Sequence, residues 1–229
     1  MRLDERLSLA FDLYETCSLA ADIGTDHALL PIALLRAGKC GRMLLTDISE
    51  GAMENARDHI ARANLADRVI LRRGDGLEPV LEPCGMISIL GMGGKTIRRI
   101  LERGRDRLNG AALLLSAHSD VPHVREAAAG IGYRLVSETP CLSGGRFYLL
   151  LKAVPGAEPL TDREIRLGKK LFDSGSPFLL PYLRNRLAVL QARLNGLRAA
   201  GDADPLLLEQ AEEDAEFYRE KISALEAGT

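Results

Sequence analysis

The run Asp22-Ile23-Gly24-Thr25-Asp26-His27 decides the fold. It follows a short apolar segment, Ser18–Asp22, that has the composition of a buried strand. It opens a helical pattern over His27–Ala37, which Gly38 closes. A strand, a glycine-bearing turn and a helix make the first half of a βαβ unit, and ligands of open parallel sheets lie at such turns. Only one glycine is present, so the three-glycine dinucleotide fingerprint is missing. Asp22 and Asp26 occupy the place where a pyrophosphate would lie. Two carboxylates repel phosphate and attract a ligand that carries positive charge. Taken alone, the turn reads equally well as a plain βα connection with a helix-capping aspartate.

The same alternation continues on both sides. Leu3, Leu7, Phe11 and Tyr14 recur at helical spacing ahead of the first strand. Further strands are expected at Arg42–Asp47, Val69–Arg73, Met86–Leu90 and Ala111–Ser116. Helices are expected at Glu50–Ala63, after Gly94 and around Val124–Ala129, and Tyr133–Glu138 and Phe147–Ala153 can pair as a final two strands. Strands alternating with helices define an α/β, Rossmann-like fold with a mostly parallel sheet and right-handed crossovers. After Pro155-Gly156-Ala157 the pattern is helical throughout. Thr161 and Glu164 form a capping box. Leu179–Ala200 and Leu206–Leu225 are amphipathic helices broken by Gly201-Asp202-Ala203-Asp204-Pro205, which reads as an antiparallel hairpin. Its first arm is basic (Arg184, Arg186, Arg193, Arg198) and its second acidic (Glu209, Glu212, Glu213, Asp214, Glu216). Either the arms hold each other by opposite charge or the basic arm serves a partner. Two units are expected, residues 1–157 and 158–229.

Composition removes several classes. The 229 residues carry 30 Lys+Arg and 32 Asp+Glu, a net charge of −2, so nucleic-acid binding would need a local patch rather than an overall basic coat. The four cysteines form no C-x-x-C pair and fit no zinc spacing, which points to free thiols and no metal. The charged start, Met1 to Arg6, lacks a signal peptide's apolar run, and no apolar stretch is long enough for a membrane span. A soluble, cytoplasmic protein that does not contact membrane is expected, with a monomer as the default state.

Three more strand ends carry chemistry. Asp47 closes the second strand, roughly 20 residues past the glycine turn, where an acid meets ribose hydroxyls. Gly74-Asp75-Gly76-Leu77 follows the third strand; its aspartate can take an adenine amine, or the glycines simply form a turn. Gly91-Met92-Gly93-Gly94 follows the fourth and brings bare backbone to the cleft and to a helix N-terminus. It is not a phosphate loop, because Ile89 stands where Walker spacing needs glycine. Four such turns in succession read as the site of S-adenosylmethionine, whose sulfonium and ammonium suit acids, and not as a nicotinamide site.

The strings Asp22-Ile-Gly-Thr-Asp-His-Ala-Leu-Leu-Pro31, Gly74-Asp-Gly-Leu77 and Gly91-Met-Gly-Gly94 resemble the bacterial tRNA (adenine-22-N1)-methyltransferases, the TrmK family. Arg6-Leu7 is similar to that family's opening-helix pair, and the helical tail extends the likeness over essentially the whole chain. The resemblance implies a class I methyltransferase with a seven-stranded sheet, a C-terminal coiled-coil hairpin and tRNA as substrate. Cofactor contacts are then expected from Arg6, Asp22, Gly24, Asp26, Asp47, Ile48, Gly74, Asp75, Gly76 and Gly91. Asp26, His27, Gly91, Met92 and Gly93 are expected to form the base pocket, with His118 as a further candidate to orient the base. RNA contacts are expected from Arg98, Arg99, Arg103, Arg184, Arg186 and Arg193, while His59 and His123 read as surface residues. Ser116-Ala117-His118 and Leu142-Ser143-Gly144-Gly145-Arg146 depart from the family's pattern. Two other readings share the sequence: a methyltransferase of another RNA site or a small molecule, and a non-catalytic ligand-binding scaffold.

Overall fold

The computed structural model describes residues 3–200 and 204–227. Gly201, Asp202 and Ala203 of the expected helix break lie outside the described residues, as do Met1 and Arg2. The strands are β1 (Cys17–Ile23), β2 (Cys40–Asp47), β3 (Val69–Arg73), β4 (Met86–Gly93), β5 (Ala112–Ser119), β6 (Tyr133–Ser143) and β7 (Arg146–Pro155). They form one seven-stranded sheet in the order β3-β2-β1-β4-β5-β7-β6. β1 to β5 are parallel, and β7 runs antiparallel to both β5 and β6. Leu44, Leu45, Ile87, Ile89 and Leu113 to Leu115 are fully enclosed. Strands covered on both faces read as continuous apolar runs for this reason.

The helices are α1 (Glu5–Leu13), α2 (Leu29–Arg36), α3 (Glu50–Arg62), α4 (Gly94–Arg103), α5 (Val121–Gly130), α6 (Asp162–Leu167), α7 (Leu179–Ala200) and α8 (Pro205–Ala227). Apolar residues of α1, α2 and α3 pack on one face of the sheet. Those of α4, α5 and the C-terminal helices pack on the other. The chain leaves β3 at one edge and crosses to β4 on the far side of β1, so the carboxyl ends of β1 and β4 diverge into a crevice.

Several segments differ from the sequence expectation. β5 runs past Ser116 to Ser119, so Ser116-Ala117-His118 lies in the strand, and β6 runs past Glu138 to Ser143. Two further differences shape the crevice. α2 begins at Leu29 rather than His27, because Asp26 (φ 39°) and Ala28 (φ 52°) are left-handed. Neither residue type announces that conformation, which costs an L-residue about 1–2 kcal/mol. β4 does not stop at Leu90 but continues through Gly93, with register shifts against β5 at Leu90/Met92 and Met92/Gly93. Gly91 (φ 77°) makes the irregularity possible, so the glycine run is a bulged strand end rather than a free loop. The Leu142–Arg146 departure is a tight β6–β7 hairpin turn in which Gly144 and Gly145 are both left-handed, at φ 55° and 76°.

A buried ion pair joins the helical tail to the sheet. Arg125 on α5 donates through Nε to Glu138 Oε1 on β6 at 2.6 Å, and the two side chains are 3% and 0% exposed. Arg125 Nη1 also donates to the carbonyls of Ile165 and Arg166, while Glu138 Oε2 accepts from the backbone N–H of Lys169 and of Lys170, both at 2.8 Å. In the hairpin, Leu194, Ala211 and Ala215 form a small apolar core. Arg184 pairs with Glu226 and Arg198 with Glu212, each at 2.6 Å, so the two arms do hold each other by charge. Arg166 from α6 forks onto Asp214 of α8. All four cysteines are free thiols.

Arg125→Met removes one half of the buried pair and leaves Glu138 enclosed without its cation. The expected loss is about 3–5 kcal/mol of stability. Urea unfolding followed by circular dichroism checks it, and a midpoint within error of the parent would contradict the role assigned to the pair.

Candidate active site

The crevice between β1 and β4 holds a cavity of about 280 Å³. Its walls come from α1 (Arg6, Leu7), the end of β1 and the turn after it (Asp22, Gly24 to His27), the start of α2 (Leu29 to Pro31) and β4 (Leu90, Gly91). The first turn is shaped by Gly24, which is left-handed at φ 75°. A Cβ there would fall 2.2 Å from Met92 Cε, so the Met92 side chain lies directly over the first turn and ties it to the end of β4. The remaining glycines of the run differ from each other. A Cβ on Gly94 would come within 2.0 Å of the Asp120 carbonyl oxygen, whereas one on Gly93 would touch only Ser119 Oγ, at 3.5 Å. Gly94 is therefore a packing requirement, Gly93 is not, and Gly91 is demanded by its backbone.

Asp22 is the buried charge of the site, 7% exposed. Ser88 donates to its Oδ1 at 2.5 Å. Burial pushes the Asp22 carboxyl up from 3.8 to about 6. The Ser88 hydrogen bond, Thr25 and the Arg6 cation pull it down, and Asp47 pushes it further up. Arg6 lies over the Tyr148 ring, 5.2 Å from its centroid, and comes close to Gly91. The Thr25 hydroxyl is buried and forms no well-aligned hydrogen bond. Asp26 and His27 are exposed at the rim, with His27 Nε2 3.3 Å from Asp26 Oδ2. His59 on α3 bonds through Nδ1 to the His27 carbonyl at 2.9 Å, and the two rings lie 5.5 Å apart. His59 thus braces the first turn instead of standing idle on the surface. His118 Nδ1 approaches the Gly91 carbonyl at 3.2 Å, which places β5 beside the same strand end.

The other expected residues are distributed around this cavity rather than in it. Asp47 Oδ1 accepts from the Ser49 N–H at 2.8 Å, and the neighbouring Ile48 presents an apolar side chain that is 64% exposed. Asp75 lies 3.9 Å from Arg103, in a separate recess of about 20 Å³ with Gly76 and Arg99. Gly74 is fixed by packing, since a Cβ would fall 2.3 Å from Pro79 Cγ. Sequence reading missed Tyr14, Thr25, His59, Ser88 and Tyr148. For Ser88 a signal existed: it is the only polar residue in the apolar run Met86-Ile-Ser-Ile-Leu90.

The cavity suits S-adenosylmethionine on its own terms. A buried carboxylate reaches it, a buried hydroxyl beside that carboxylate lacks a full partner, and two left-handed glycines keep side chains out of it. An open α/β sheet with an acid and bare backbone at its switch point, and no phosphate loop, defines the class I methyltransferase type. The chain belongs to the methyltransferase-domain family, whose model matches residues 3–151. Within it the chain is similar to the tRNA (adenine(22)-N(1))-methyltransferase of Bacillus subtilis (strain 168), 32% identical over 158 residues, which cover 68% of this chain and 66% of that protein. The match thus spans just under two thirds of that relative's length. Among solved structures, the B. subtilis M1A22 tRNA methyltransferase TrmK has a TM-score of 0.84 at 26% identity, covering 96% of this chain and 99% of that one. A Streptococcus pneumoniae protein, Sp1610, described as a putative tRNA (m1A22) methyltransferase and solved with S-adenosyl-L-methionine, superposes with a TM-score of 0.84 over 96% of this chain and 100% of its own. At 24% identity that likeness establishes the fold.

Holding Asp22 ionised against burial is costly, and the sign is fixed by its raised titration. The buried carboxyl favours the protonated form, so its contribution to folding is favourable at low pH and is lost as pH rises through about 6. Above that pH the charged form carries a penalty of roughly 3 kcal/mol at most. Asp22→Asn keeps the shape and removes the charge. It is expected to raise the urea midpoint of the ligand-free protein at pH 8, to narrow that gain at pH 5, and to abolish adenosylmethionine binding in calorimetry. A variant that is less stable at pH 8 and still binds would contradict both readings.

Proposed function

We propose that the chain transfers the methyl group of S-adenosylmethionine to N1 of an adenine in tRNA, with nucleotide 22 as the target. The observation that carries this reading is the cavity where Asp22, Gly24 and Gly91 meet, in a chain whose fold and sequence follow the relatives named above. Bound S-adenosylmethionine supplies an electrophilic methyl group on a sulfonium. Asp22 holds the cationic end of that ligand, with Arg6 limiting the excess negative charge around it. Asp47 takes the ribose hydroxyls, Ile48 covers the adenine ring with its exposed side chain, and Gly74-Asp75-Gly76 closes the far end. The bulged end of β4, Gly91 to Gly93, forms the wall against which the target base lies, and Asp26, His27 and His118 orient it.

No general base is required. Neutral adenine N1 attacks through its own lone pair, the sulfur–carbon bond breaks, and the positive charge passes from sulfur to the purine without loss of a proton. Acids that line the cleft, Asp22 and Asp26, favour a charge that stays within it. Because N1 lies on the pairing edge, the adenine must leave its helix to react. Residues 158–229 act as the RNA-binding unit on a catalytic unit of residues 1–157. The available cations are fewer than the arginine count implies: Arg98 is held by Glu102 and Glu126, Arg103 faces Asp75, and Arg184 is held by Glu226. Arg186 lies against Tyr218. Arg99 and Arg193 are exposed and, among the described residues, have no ion-pair partner. They carry the phosphate contacts.

The test is methyl transfer from labelled adenosylmethionine to an unmodified tRNA pool, read by nucleoside mass spectrometry. N1-methyladenosine formed only when tRNA is present is the expected product. Label in another base or in a small metabolite would overturn the assignment. Arg99→Glu and Arg193→Glu should each weaken tRNA binding and reduce the slope of log affinity against log salt by about 1. Cofactor affinity should stay unchanged in both.

A further inference from the structure

The Asp22 carboxylate rests on a row of hydroxyls that the catalytic reading does not use. β1 and β4 pair in parallel with Asp22 opposite Ser88, at the point where the strand order reverses. Ser88 is 0% exposed and Tyr14, which leaves the end of α1, is 3% exposed. Ser88 Oγ is 2.5 Å from Asp22 Oδ1, and Tyr14 Oη is 3.0 Å from Ser88 Oγ. Among the described residues the Ala21 carbonyl is the one other acceptor hydrogen-bonded to either hydroxyl, at 3.3 Å from Ser88 and 3.4 Å from Tyr14.

Proton counting orders this row. An ionised carboxylate only accepts, so Ser88 spends its single proton on Asp22, and short bonds to a charged acceptor are the strong ones. Ser88 Oγ is then free to accept, and Tyr14 is its donor. Each bond polarises the next. If Asp22 were protonated the row would run the other way, from the carboxyl through Ser88 to Tyr14 and the Ala21 carbonyl. We infer that Tyr14 and Ser88 form a buried donor relay that holds the Asp22 carboxylate charged and in register for the cationic head of the cofactor, which makes them positioning residues of this site. The inference rests on the cofactor reading given above.

The surrounding charges agree with that direction. Burial, and to a lesser degree Asp47 at the end of β2, work against the Asp22 charge, while Arg6 on α1 works for it. Asp26 and His27 line the same cavity. Tyr14 is itself pushed well above its ordinary range, first by burial and then by the Asp22 charge, so it keeps its proton for donation. Loss of the Ser88 hydroxyl removes the strongest support of the charged form, and the Asp22 carboxyl then titrates above its present value of about 6.

The experiment is calorimetric binding of adenosylmethionine and of adenosylhomocysteine from pH 5.5 to 8.5 for the parent, Ser88→Ala, Ser88→Thr and Tyr14→Phe. Thermal melting of each protein, at each pH, confirms that it is folded. The parent should lose affinity as pH falls through about 6. In Ser88→Ala that loss should begin about one pH unit higher, the tenfold effect of one hydrogen bond to a charge. At pH 8.5 the affinity should remain near that of the parent. Ser88→Thr keeps a hydroxyl on Cβ and should restore the parent profile, and Tyr14→Phe should shift it upward by less. If Ser88→Ala fails to fold, the direction of the Tyr14→Phe shift decides. A Ser88→Ala profile that matches the parent, or one lowered equally at every pH, overturns the relay while leaving the cofactor site in place. A parent that binds neither ligand at any pH overturns the cofactor reading, and the relay with it.

Discussion

The placement of the helical tail depends on one enclosed ion pair, Arg125 with Glu138. Each ion is costly to bury, and neither is tolerable without the other. The geometry compensates by using both partners fully. Arg125 reaches the last carbonyls of α6, and Glu138 takes the two N–H groups that follow it. Three segments are thereby fixed together: α5, the strand β6 that follows it and, some 40 residues on from Arg125, the exit from α6. The chain enters the C-terminal helices from that joint, and Arg166 on Asp214 and the apolar packing of α7 and α8 on the sheet then hold the hairpin. An apolar contact of similar area would have held the segments together without fixing their angle, because dispersion and burial are not directional.

At the other end of the sheet the constraint is crowding. Five residues at three strand ends around the crevice are left-handed, and only two of them are glycines. Gly24 and Gly91 accept this conformation freely, whereas Asp26, Ala28 and Asp120 accept it at a cost. Bonds elsewhere over-determine these positions. Gly24 and Thr25 N–H both donate to the Thr46 carbonyl, Ala28 N–H closes onto the Thr25 carbonyl, and His59 clamps the His27 carbonyl from α3. The Asp120 carbonyl comes so near Gly94 that only a residue without Cβ can stand there. The strain is concentrated where the cavity is and is absent from the middle of the sheet.

This distribution explains what the sequence disclosed. Apolar runs bounded by glycine turns disclosed every strand, the parallel arrangement and the crevice, because strands covered on both faces have no other way to be written. The acids at Asp22 and Asp47 were legible because they end such runs. The start of α2 was not, since Asp26 and Ala28 take conformations that tertiary bonds impose and local propensity opposes. The end of β4 was not, since a glycine run reads as a loop whether or not its backbone continues to pair. The buried partners of Asp22 were the least visible of all. Tyr14 fits the apolar stripe of α1 although it lies just past the helix end, and Ser88 is a single polar residue in a run of five. What a hydroxyl donates to is a property of the neighbouring strand, and no spacing rule within one strand contains it.

The near-neutral charge of the chain is a matter of composition, 30 Lys+Arg against 32 Asp+Glu, but the way those charges pair bears on how it would meet a polyanion. Many of the arginines are consumed internally. Arg72 is bound to Glu82, Arg98 to two glutamates, Arg125 and Arg166 to enclosed acids, and Arg184 and Arg198 to the opposite arm of the hairpin. An exposed pair of this kind contributes little stability, typically under about 1 kcal/mol. It does remove a cation from the set that can release counterions from phosphate, or else makes that cation available only when its acid is displaced. A helix that looks uniformly basic in sequence therefore presents a sparse pattern of free charge once its partner helix is in place. On the reading proposed above, what α7 offers a polyanion is Arg186 and Arg193, since Arg184 and Arg198 are held by acids of α8, and so sparse a pattern favours a substrate whose own shape brings its phosphates to those points.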